Sequence, residues 1–112
     1  MFEKEKEILA ELGVLGEGKP DEANFYEVAF SDGLDEFSKI HSLLNKSDKL
    51  ELEESDITEQ SLKITYIYGE NEYVIIIESN LETDKATIKI KKLNKEKNWN
   101  WRRLMEKKIN GG

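Results

Sequence analysis

Apolar and polar residues recur along this chain in two periods, and each period predicts an element. Residues 2–12 bring Phe2, Ile8, Leu9 and Leu12 to one face, with glutamate and lysine opposite, which predicts a helix that Gly13 ends in a left-handed conformation. Residues 13–20 hold three glycines and the only proline, Pro20, and read as a loop. Tyr26, Val28 and Phe30 alternate within 24–30 and predict a strand with one buried face. Ser31-Asp32-Gly33 interrupts it. Leu34, Phe37, Ile40, His41 and Leu44 then follow helical spacing over 34–45, with Asp32 as N-cap and Asp35 and Glu36 at the positive end of the helix dipole.

The second half of the chain is ruled by period two. In 48–54 Leu50 and Leu52 point inward, and Glu51 and Glu53 outward; 55–60 is an acidic connection. In 62–68 Leu62, Ile64, Tyr66 and Tyr68 share a face, and Gly69-Glu70-Asn71 is a hairpin connection. Tyr73–Ile77 is apolar on both faces, which predicts a central strand, because such a run on an edge would promote aggregation. After a turn at 80–84, residues 85–92 put Ala86, Ile88 and Ile90 inward and Lys85, Thr87, Lys89 and Lys91 outward. A last helix is expected over 98–109, capped by Asn98 and striped by Trp101, Leu104, Met105 and Ile109. The order is α-β-α-β-β-β-β-α. It implies an α+β fold: a single domain over residues 1–112, with a mainly antiparallel sheet of about five strands packed against helices.

Composition narrows the chemistry. The chain has 112 residues, no cysteine and one histidine, which excludes disulfides, thiol catalysis, cysteine-ligated zinc and any site needing two histidines. No apolar run approaches the roughly 20 residues that span a bilayer, and there is no secretory signal pattern, so a cytoplasmic protein without membrane contact is expected. Lysine greatly outnumbers arginine, and isoleucine and asparagine are frequent, a mix typical of AT-rich bacterial or phage genomes.

Candidate motifs are few. Gly13 to Lys19 formally matches G-x-x-x-x-G-K, but a helical pattern precedes it, Pro20 replaces the magnesium-holding hydroxyl and an extended segment follows, so it reads as a connection. His41 falls on a helix stripe beside Phe37 and Leu44 and reads as a boundary residue. No catalytic constellation, metal set or cofactor motif emerges, so no enzymatic activity and no cofactor are expected.

Charge supplies the remaining signal. The net charge is −7, yet from residue 85 onward ten basic residues face two acidic ones. The densest acidic run is Glu51, Glu53, Glu54, Asp56 and Glu59. Spaced carboxylates on a strand face can imitate a phosphate backbone and meet a basic surface by charge. The expectation is therefore a non-enzymatic protein-binding module, of the inhibitor, immunity or phage-accessory type. Its acidic surface would occlude a basic partner such as the nucleic-acid groove of an enzyme. The alternative is a nucleic-acid binder using the basic end: Lys89, Lys91, Trp99, Arg102 and Arg103. Set against both is the plainer reading of the charge asymmetry, that the acidic body and the basic segment neutralise one another within one fold. An antiparallel sheet edge could also pair two copies.

Overall fold

A computed structural model describes residues 2–93. The elements are α1 (Glu3–Glu11), β1 (Lys19–Pro20), β2 (Tyr26–Phe30), α2 (Gly33–Asn45), β3 (Leu50–Ile57), β4 (Ser61–Tyr68), β5 (Tyr73–Asn80) and β6 (Lys85–Lys92). The strands form one antiparallel sheet in the order β1-β2-β6-β5-β4-β3. The α+β class and the meander from β3 to β6 agree with the sequence. Among the described residues the sheet has six strands rather than five, because Lys19–Pro20, within the expected loop, pairs with Glu27 and Tyr26. The helix expected over 98–109 lies outside the described residues.

Local chemistry explains the boundaries. α1 ends in a Schellman motif: the Gly13 N–H donates to the Ala10 carbonyl (3.0 Å) and the Val14 N–H to the Leu9 carbonyl (2.8 Å). Gly13 has φ +94°, a conformation that costs glycine little. Asp32 precedes α2, but its side chain makes no capping bond; the Asp32 carbonyl accepts the Glu36 N–H instead. The β3–β4 turn is held by Thr58, whose Oγ1 accepts the N–H groups of Gln60 and Ser61. The β5–β6 turn is held by Asn80, whose Oδ1 accepts those of Glu82 and Thr83.

The main core cluster lies on the helix-side face of the sheet, and on the other face Ile67 of β4 is also buried, 2% exposed. Register places Tyr26 beside Ile90, Val28 beside Ile88, Ile88 beside Ile77 and Ile90 beside Ile75, all buried. α2 connects β2 to β3 and lies over β5 and β6, onto which it buries Phe37, Ile40 and Leu44. α1 adds Ile8 and Leu9. Each fully buried aliphatic side chain contributes about 1.5–3 kcal/mol relative to its exposed state. Leu34, expected on the α2 stripe, is half exposed at the helix start. β5 is an inner strand, as its two-sided apolar pattern predicts; Val74 and Ile76 on its other face are half-buried.

One core position breaks the pattern. Ser79 is 0% exposed, and its Oγ has no hydrogen-bond partner among the described residues. A buried hydroxyl without a partner carries its desolvation cost unrelieved. Ser79→Ala is accordingly expected to leave stability unchanged or raise it by up to about 1 kcal/mol. Urea unfolding checks this, and a clear loss of stability would mean that the hydroxyl is bonded.

Candidate functional site

Glu51, Glu53, Glu54 and Asp56 of the acidic run lie on β3, and β3 is an edge strand, hydrogen-bonded to β4 alone among the described residues. Its course differs from the sequence expectation in three ways. First, it continues to Ile57, so residues 55–57 are strand rather than connection. Second, a bulge between Leu52 and Glu54 shifts the register: Glu51 lies opposite Ile67, Glu54 opposite Thr65 and Asp56 opposite Lys63. Ile67 pairs with Val74 and Lys63 with Glu78, on the face away from the helices. The bulge thus brings Glu51, Glu54 and Asp56 to one face, whereas unbroken alternation would have placed Glu51 with Glu53 and turned Glu54 and Asp56 to the other. Glu53 is the inserted residue and Glu59 sits in the β3–β4 turn.

Third, Leu52 is not buried. It shares the helix-side face with Tyr66, but α2 covers β5 and β6 and leaves the edge strand uncovered, so Leu52 is 63% exposed. Ile57, on the same side, is 72% exposed. The edge strand therefore shows carboxylates on one face and apolar side chains on the other. Among the described residues, no ion pair engages Glu51, Glu54 or Asp56.

The described part of the basic end is built differently. Lys89 lies between Asp21 (3.2 Å) and Glu27 (3.4 Å). Lys91 donates to the Ala23 carbonyl at 2.9 Å, with its ammonium 5.4 Å from the Phe25 ring centre. Asp21 anchors this corner: one carboxylate oxygen accepts the N–H groups of Ala23 and Phe25, the other meets Lys89. Both lysines thus fasten the β1–β2 hairpin to β6. This is internal neutralisation between the acidic and basic parts of the chain. Trp99, Arg102 and Arg103 lie outside the described residues. Sequence reading missed the role of Asp21, since its partner is far along the chain; only the Asp-Glu-Ala-Asn turn composition at 21–24 marked the place.

Titration follows from this geometry. Burial pushes the Asp21 carboxyl up, but the Phe25 and Ala23 N–H groups and Lys89 outweigh it and hold it below its ordinary 3.8. Burial likewise pulls Lys89 down, and its two carboxylate partners more than restore it, above its ordinary 10.5. A lowered carboxyl stabilises the fold above its unfolded value and loses that effect in acid; a raised ammonium stabilises below its unfolded value and loses it in alkali. The stability gap between the native chain and Asp21→Asn should be full between those limits, and should narrow as pH falls below about 3.8 or rises above about 10.5. Urea midpoints across pH check it; a gap independent of pH would contradict the pairing.

His41 stacks on Phe37, with ring centres 6.2 Å apart and planes 4° apart. Asn45 accepts the Tyr66 hydroxyl at Oδ1 (3.1 Å) and offers its amide N–H to His41 Nε2 (3.2 Å). The ring edge thus meets a side-chain amide. The Gly13–Lys19 string connects α1 to β1 and has no strand before it. Among the described residues, no group of three or more histidines and carboxylates is placed to hold a metal ion, and no helix is long and apolar enough to cross a membrane. Comparison with protein-family models, curated proteins and solved structures returns no match.

Proposed function

We propose that the protein is a non-enzymatic binding module whose β3 face, carrying Glu51, Glu54 and Asp56, occludes a basic surface on a protein partner. The observation that supports this most is the bulge, which gathers three exposed carboxylates, free of ion pairs among the described residues, onto one face of an edge strand. Elsewhere in the fold, Asp21 and Glu27 are committed to Lys89. Carboxylates without internal partners keep their charge available for a cation, and steer a basic partner at long range. An inhibitor or immunity role, directed at a nucleic-acid groove, is the biological form of this reading. Binding of nucleic acid through Lys89 and Lys91 has less support, because both ammonium groups already have partners within the fold.

Charge reversal tests the reading. The triple variant Glu51→Lys, Glu54→Lys, Asp56→Lys should bind the partner at least about tenfold more weakly, and added salt should weaken the native complex. All three positions are exposed, so the variant should fold. Equal affinity of the two proteins would refute the acidic-face reading.

A further inference from the structure

The two edges of the sheet are built in opposite ways. β1 is two residues long and ends in Pro20, which lacks an N–H, so β1 itself offers little to pair with. β3 is eight residues long, contains no proline or lysine, and is exposed throughout Glu54–Ile57.

The hydrogen-bond phase of β3 can be read from its flanking turns. The Thr58 N–H donates to the Ser61 carbonyl, and bonded positions alternate in an antiparallel ladder. Asp56 and Glu54 therefore bond β4, and Ser55 and Ile57 direct their N–H and C=O groups to the open edge. At the other end the Gly69 N–H donates to the Lys49 carbonyl, which assigns Glu51 to β4 and Leu50 and Leu52 to the open edge. The bulge joins these two phases, and Glu54–Ile57 beyond it is regular.

Charge selects what can add there. In a pair of β3 strands from two copies, Glu54 and Asp56 would stand against like charges across one face, which is destabilising. A strand of alternating lysine or arginine and apolar residues meets the opposite situation. Its cations face Glu54 and Asp56, and its apolar residues cover Ile57 on the helix side. One-signed charge on an edge thus repels copies of itself and admits a complementary strand.

We infer that the Ser55–Ile57 edge of β3 binds an extended basic segment of the partner as a seventh strand of the sheet. The inference rests on the acidic-face reading above and specifies its mode: backbone hydrogen bonds at Ser55 and Ile57 supply affinity, and the carboxylates supply selectivity.

The test uses the whole chain and three short synthetic peptides. One alternates lysine and valine, the second is the same peptide N-methylated at alternate residues on its bonding edge, and the third has glutamate for lysine. Amide exchange and chemical shifts are read by NMR at low ionic strength. The expected result is that the lysine peptide binds and slows exchange at Ser55 and Ile57 by at least about tenfold, with no slowing by the other two. Equal binding of the N-methylated peptide, with the Ser55 and Ile57 amides unprotected, would overturn strand addition and leave the acidic-face reading intact. Absence of lysine-peptide binding would also overturn strand addition. The acidic-face reading fails separately, if charge reversal leaves the partner's affinity unchanged.

Discussion

Replacing Ile88 with alanine is expected to lower the unfolding free energy by about 3–4 kcal/mol. Ile88 is fully buried at the centre of the helix-side face, between Val28 on β2 and Ile77 on β5, on a strand that α2 covers. Truncation removes the transfer free energy of three carbons and leaves a cavity. The cavity is walled by two neighbouring strands that are fixed by their own ladders, so it collapses poorly. At about 4 °C per kcal/mol for a chain of this size, the melting temperature should fall by roughly 12 °C or more. Ile76 supplies the internal control, because it lies on the opposite face of β5 and is only half-buried. Ile76→Ala should cost clearly less. Equal losses at both positions, by thermal or urea unfolding, would contradict a main core on the helix-side face.

Gly33→Ala is expected to cost about 1–3 kcal/mol, even though alanine is the better helix former. A Cβ at this position would stand 2.7 Å from the Asp84 carbonyl carbon and 2.8 Å from the Lys85 nitrogen. Both are backbone atoms where the β5–β6 turn enters β6, so no side chain can swing aside. Relief requires the start of α2 to lift, and that lengthens the bond from the Gly33 N–H to the Asp84 carbonyl, now 3.0 Å. The gain in helix propensity, about 1 kcal/mol at most, is smaller than an overlap of this kind. A variant as stable as the native chain would show that α2 does not seat on that turn.

These two positions also show what could be read in advance. The alternation of Ala86, Ile88 and Ile90 and the two-sided apolar run at Tyr73–Ile77 are statements about burial, and burial leaves a direct trace in residue type. Both strands lie where that trace implies. The close approach at Gly33 depends on where a distant turn falls, and composition records only a glycine. β1 escaped notice because two residues, one of them proline, carry no periodic signal.

The candidate site divides in the same way. The acidic run was visible as composition, but its facing was not. A bulge is fixed by pairing with β4 and has no signature in Leu-Glu-Leu-Glu-Glu, so simple alternation puts Glu53 on the face that Glu54 and Asp56 occupy with Glu51. Leu52 obeyed the pattern and remained exposed, because period two reports which face a residue lies on and not whether a helix reaches that far. The fates of Lys89 and Lys91 required tertiary structure, since Asp21 and Ala23 lie far from them in sequence.

The most direct test of the binding reading is parallel affinity capture from bacterial lysate, with the native chain and the variant Glu51→Lys, Glu54→Lys, Asp56→Lys, each with and without nuclease. The account predicts a stoichiometric protein that withstands nuclease, is retained by the native chain and is lost by the variant. A ligand that vanishes with nuclease, or a protein that both chains retain equally, would contradict it.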